Sequence, residues 1–277
     1  MSLAESAASP LAAAESMPDD SELARFASAV ADDLAMLADL HDRPLTAAVV
    51  DAARQAPLAE QLALSPQKHE GRQAAEDFDR ALGELPAVLG RAELDELAAQ
   101  HADVYARFGY RVAATESVWL SEDGLDHQEP AFKVARWYRR HGLRVQDASR
   151  RPDDHLFLEL SFLVHLLGAG AASIPEPLPL QERLAEAARF LDQHPLRWVG
   201  KRAPELERRG GPPIYVALAA ITAAYLEGLR EALREITGIE RPVPAPEADK
   251  SAAKHPREKT CADPDDRPYV PGAGPGW

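Results

Sequence analysis

Asp153, Asp154 and His155 stand directly before a strongly apolar run, Leu156-Phe157-Leu158, and Glu159 follows four residues after the imidazole. Carboxylates suit a helix start, where free backbone N–H groups and the positive end of the dipole welcome negative charge, by roughly 0.3–1 kcal/mol. That accounts for Asp153 or Asp154, but not for both acids and a histidine. On a helix, His155 and Glu159 share a face and could pair or hold a metal ion. A metal would need further ligands. No H-E-x-x-H, no pair of E-x-x-H motifs and no cysteine cluster supplies them. A polar patch at the mouth of a groove fits these residues better.

Other chemistries lack their parts. Gly168-Ala169-Gly170 has a Gly-x-Gly look, but it follows a helical pattern and not a strand, so it reads as a helix stop. There is no Gly-rich loop ending in Lys-Ser/Thr and no G-x-S-x-G elbow beside Ser117. No catalytic constellation emerges, and the expectation is a protein that is not an enzyme and needs no cofactor or metal. Trp137 and Trp198 read as core. Trp119 sits in a loop, where an aromatic is either core or a peptide-binding group. Arg139-Arg140, Arg150-Arg151 and Arg208-Arg209 read as solvated helix ends.

Helices must position these residues. Ala, Leu, Glu and Arg dominate the 277 residues, and runs rich in Val, Ile, Thr and aromatics are missing. The expected fold is all-α, a single-domain helical bundle over 21–240 with disordered arms at 1–20 and 241–277. Leu23, Phe26, Val30, Leu34 and Leu37 recur at helical spacing after Ser21, a candidate cap. His41-Asp42-Arg43-Pro44 stops that helix. Further helices are expected over 45–55, with Leu45, Val49 and Val50 apolar, over 72–85 and over 92–108. Val112 to Gln128 shows no helical period and reads as a long irregular loop, which is often functional. Helices then run from Pro130 through Phe132 and Trp137, from the Asp154 region to Leu167, through Leu184 and Leu191, and from Ile214 to about Ile236. The Pro-rich end past Arg241 reads as disordered.

The net charge of −14 argues against a nucleic-acid binder. It is compatible with basic partners. The single cysteine, Cys261, rules out a disulfide within the chain. The first residues show no secretory signal, and no apolar run suits a bilayer, so stable membrane insertion is not expected and the expected location is the cytoplasm.

Three segments occur in a telling order. Glu116-Ser117-Val118-Trp119-Leu120 precedes Asp123-Gly124-Leu125. Tyr138…Gly142-Leu143 precedes Pro152-Asp153-Asp154-His155-Leu156 and Glu159-Leu160…Phe162-Leu163. Phe190-Leu191…His194…Trp198 precedes Tyr215…Leu218…Tyr225-Leu226. Together they resemble the E-S-V-Y/W-L…E-G-L, P-x-D-H-L…E-L-x-F-L and F-L…H-L…W patterns of the TorD/DmsD-type chaperones that mature molybdenum-containing oxidoreductases. The likeness covers roughly Ala92 to Leu229.

The resemblance implies an all-α chaperone that binds the N-terminal leader of a molybdoenzyme catalytic subunit, commonly a twin-arginine signal, and delays export until the cofactor is inserted. By carry-over, Ser117, Trp119, Pro152, Asp154 and His155 fall at leader-binding positions. Carboxylates near Asp154 and Glu116 would meet the leader's arginines, ideally in bidentate pairs. An apolar groove would take its hydrophobic stretch. Two departures stand out. Arg151 replaces the family's usual Glu, and the Pro-rich stretch before the E-S-V loop is shortened to Arg111–Thr115. Arg151 also allows a nitrate-reductase-type chaperone whose client is not exported. A reading from another class is a helical metalloenzyme built on His155 and Glu159. A hinge near Val145–Arg151 would let a monomer exchange halves into a domain-swapped dimer.

Overall fold

The computed structural model describes residues 20–66, 68–105, 112–146, 151–168 and 178–242. The first helix, α1 (Asp20–Asp42), begins one residue before the expected cap Ser21 and ends on the expected stop. Its Leu23, Val30, Leu34 and Leu37 are buried as one stripe, with Ala27, Ala31 and Ala38 between them. The small alanines let a partner helix approach closely. That partner is α8 (Leu156–Leu167), which packs along α1 and buries Leu156, Leu160, Phe162, Leu163, Leu166 and Leu167. A helix buried on most of its faces is a core helix. Fully burying one such leucine contributes about 1.5–3 kcal/mol.

The connection between them is a series of shorter helices. They are α2 (Ala47–Ala53), α3 (Leu58–Gln61), α4 (His69–Gly83), α5 (Arg91–Tyr105), α6 (Glu116–Leu120) and α7 (Glu129–Arg140). Thr46 caps α2 by accepting from the Val49 backbone N–H, which makes that helix shorter than the sequence suggests. Val50 is its buried residue, and Val49 faces solvent. Phe132 is 62% exposed on α7.

After α8 come α9 (Leu180–Gln193), single 3-10 turns at Pro195–Arg197 and Val199–Lys201, then α10 (Arg202–Arg208) and α11 (Pro213–Thr237). The turns carry Trp198 into the core. Gly238, at φ 67°, ends α11 in the left-handed conformation that glycine adopts without strain. α11 packs against α4 on one side and α9 on another. The helices belong to one compact unit, Met1–Arg241, and the fold is all-α.

No strand occurs among the described residues, and α6 corrects the expectation of an irregular 112–128. No described helix is long and apolar enough to cross a membrane. The arms over 1–19 and 243–277, Cys261, Phe108 and Gly109, most of the Val145–Arg151 hinge and the connector over 169–177 lie outside the described residues.

Candidate functional site

The loop around α6 and the start of α8 are stitched together by their backbones. Thr115 and His155 form an isolated antiparallel bridge. The Glu116 N–H donates to the Asp154 carbonyl at 3.0 Å, and the Leu156 N–H to the Ala114 carbonyl at 2.8 Å. Asp154 extends this link with its side chain. Its Oδ2 accepts from the Ser117 N–H at 2.6 Å, satisfying one of the free donors at the start of α6. Thr115, at the cap position itself, spends its hydroxyl on Asp126 Oδ1 at 2.8 Å. Asp154 is fully buried, and burial pushes its carboxyl above the usual range; the hydrogen bonds from Ser117 oppose that rise. Ser117 Oγ accepts from the Gln128 N–H at 3.2 Å and closes the loop.

Asp153 and Asp154 are therefore not in the first turn of α8. The cap of α8 is His155, whose Nδ1 accepts from the Phe157 N–H at 3.2 Å. That bond leaves the ring proton on Nε2. Burial, with Arg151, Arg202 and His101 adding to it, holds the imidazole neutral, its pKa lowered to about 3. The expected His155–Glu159 pair does not form. His155 has extended backbone, φ −75° and ψ 137°, so the four-residue spacing of a helix does not apply to it.

Glu159 turns instead to a second buried group. Its Oε2 accepts from Trp198 Nε1 at 3.2 Å. Glu116 Oε2 lies 2.8 Å from His194 Nδ1, and Arg197 Nη1 stands 3.7 Å from the other Glu116 oxygen. Both carboxyls are fully buried. Burial first, then the neighbouring Glu116 and Asp154, push the Glu159 pKa well above the usual range. Two carboxyls this close do not both ionise, and Glu159 is held as the acid. Donor atoms of Glu116, Glu159 and His194 lie within 4.8 Å of one another, so the same three groups could surround a divalent cation. Trp119 stacks on Trp198 with ring centroids 6.5 Å apart, and its Nε1 donates to the Ala113 carbonyl at 3.1 Å.

Both segments wall one cavity of about 400 Å³. Of the expected site residues, only Pro152 and His155 line it. Glu116, Ser117, Trp119 and Asp154 stand behind the wall and hold it in shape. The far side comes from residues that the sequence did not single out as site residues: His41 and Asp42 at the end of α1, His101 and Tyr105 on α5. Antiparallel packing of α1 on α8 brings the end of one to the start of the other. Arg151 pairs with Asp42 at 2.5 Å and lies over the Phe157 ring at 4.8 Å. Leu125, 58% exposed, stands at the cavity's edge. A wider groove of about 1810 Å³ lies between α4 and α11, away from both motif segments.

The family model described as nitrate reductase delta subunit matches residues 72–203. That stretch holds both stitched segments and the His194–Trp198 turn. A chaperone protein TorD of Vibrio vulnificus (strain YJ016) is 29% identical over 141 residues, covering 48% of this chain and 65% of that protein. The chaperone protein TorD of Vibrio cholerae serotype O1 (strain ATCC 39315 / El Tor Inaba N16961) is 27% identical over 141 residues, covering 51% and 64%. Over about half of its length the chain is similar to the TorD-type chaperones. It spans just under two thirds of the length of these TorD relatives. The motif residues that looked exposed and chemical in the sequence are mostly the buried frame of a cavity.

Proposed function

We propose that this chain is a maturation chaperone that binds the N-terminal leader of a molybdenum oxidoreductase catalytic subunit and holds it until the cofactor is inserted. The observation that carries this reading is the joining of the Glu116–Leu120 and Pro152–His155 segments into one wall of one cavity. A leader with an Arg-Arg end and an apolar stretch has two matching features to meet there. Asp126 offers a carboxylate at the cavity, beside Asp42, which Arg151 already engages, and Leu125 offers exposed apolar surface. Glu116 and Asp154 support this surface from within rather than touching the arginines. No residue is asked to do chemistry on a substrate, and the site of action is the cytoplasm, where the leader is made.

The test is titration of the purified chain with leader peptides from neighbouring molybdoenzyme subunits, together with client activity after deletion of this chain. Binding with loss of client activity supports the reading. No binding to any such leader, with client activity intact, overturns it.

A second reading has its own support. The matching family is described by nitrate reductase, and Arg151 puts a positive charge where a basic leader would approach. A nitrate-reductase-type chaperone serving a client that stays in the cytoplasm would bind a leader lacking the Arg-Arg pair. The same titration, run with leaders of both kinds, separates the two.

A further inference from the structure

Glu116 opens α6, Glu159 lies on α8 and His194 follows α9, so the fold gathers them across as many as 78 residues. Glu116 and Glu159 are fully buried, and His194 is 1% exposed. One oxygen or nitrogen from each lies within 4.8 Å of the other two. Ligands around one tetrahedral ion stand roughly 3.4 Å apart, so small side-chain rotations would close the set.

Acids are almost never fully buried unless they are paired. Here the pairing is incomplete. His194 Nδ1 meets Glu116 Oε2 at 2.8 Å, and Trp198 Nε1 donates to Glu159 Oε2 at 3.2 Å. The remaining oxygens, Glu116 Oε1 and Glu159 Oε1, are buried and accept from no neighbouring donor. Arg197 stays 3.7 Å from Glu116 Oε1, too far for a hydrogen bond, and its side chain is 47% exposed. Asp154, also fully buried, adds its charge to the pair. Three buried carboxyls thus face one imidazole and one half-exposed guanidinium. The proton left to bridge Glu116 and Glu159 is the one that Glu159 keeps.

We propose that Glu116, Glu159 and His194 form a binding site for a divalent transition-metal ion of the zinc type. Carboxylate oxygens with one imidazole nitrogen suit such an ion, whereas calcium and magnesium take oxygen ligands. The ion takes the place of the bridging proton, and its charge lets both carboxylates ionise. His194 coordinates through Nδ1 and carries its proton on Nε2. The Trp198 N–H stays on Glu159 and fixes its orientation. Water fills the fourth position. The bound ion ties α6, α8 and the turn after α9 to one point behind the cavity wall. This inference goes beyond leader binding and does not depend on it.

The experiment uses the full chain, stripped with a chelator and titrated with Zn²⁺, with Mg²⁺ as control. The expected result is one tightly held zinc per chain after gel filtration, and a rise in unfolding temperature of about 3 °C at roughly ten times the dissociation constant. The imidazole ¹H–¹⁵N signals of His194 should shift with Zn²⁺ and not with Mg²⁺. Glu159→Gln should lose the tight ion and the His194 shift. The proposal is overturned if the parent chain holds no zinc, if zinc leaves His194 unmoved, if magnesium binds as tightly, or if folded Glu159→Gln keeps the tight ion. The readings on the parent chain stand whether or not Glu159→Gln folds, and a leader titration that fails leaves them untouched.

Discussion

The Asp154 carboxylate accepts a hydrogen bond from the Ser117 backbone N–H at 2.6 Å, joining two motif segments that lie 37 residues apart in the chain. This bond makes the P-D-D-H motif a cap, but for α6 rather than for the helix it precedes. His155 is the member of the motif that faces the cavity beside Pro152, and Asp154 is the clamp that fixes where His155 points.

Asp154→Ala removes the acceptor and leaves a buried N–H without a partner, which costs about 1–3 kcal/mol. Asp154→Asn keeps an oxygen in place and is expected to cost less. Urea unfolding of both variants checks this. An unchanged stability for Asp154→Ala, alongside weakened leader binding, would show that Asp154 acts by contact and not as a clamp.

The all-helical fold and the pairing of Glu116–Leu120 with Pro152–His155 were legible in the sequence, because apolar spacing and ordered motifs are local or colinear signals. Which way each side chain faces was not. Glu116 and Asp154 look like surface acids for a basic ligand because acids are rarely buried. Their burial depends on donors from Ser117 and His194, brought together only by the fold. His41 read only as part of a helix stop. It stands near the end of a long helix, and packing alone places it by the cavity.

Glu159 gives a pH signature. Its folded pKa lies well above the ordinary glutamate value near 4.5. In that interval the folded chain keeps a proton that the unfolded chain has released. Its contribution to stability is therefore present in acid and is lost as pH rises towards the folded pKa, by up to about 1.4 kcal/mol per pH unit. Glu159→Gln cannot titrate and keeps an amide donor for Glu116. The variant is expected to lose this slope above pH 4.5, measured as unfolding free energy against pH. Identical slopes for variant and parent would rule out Glu159 as the buried acid.

His155 gives the opposite sign. Its folded pKa is about 3, below the ordinary value of 6.5. Between these values the unfolded chain takes up a proton that the folded chain refuses. Stability is full above pH 6.5 and is lost as pH falls towards 3, by up to about 1.4 kcal/mol per pH unit. His155→Asn retains a capping side chain and should flatten the acid limb. If the acid limb keeps its slope in His155→Asn, other buried groups such as His41 and His101 account for it.

Arg151 and Asp42 join α8's entrance to the end of α1 at 2.5 Å, with the arginine side chain 36% exposed. Arg151→Glu restores the acid usual in the TorD/DmsD pattern but sets it against Asp42. The cost of the lost pair is up to about 1 kcal/mol, given this partial exposure. Asp42→Arg in the same chain re-forms the pair with its charges exchanged and should recover that stability. Leader binding separates charge from stability. Arg151→Glu should favour a peptide with an Arg-Arg end, and rising salt should erase the gain, because the contact is partly solvent-screened. A gain that persists at high salt, or one that appears equally for a leader without arginines, would show that position 151 does not read the charge of the leader.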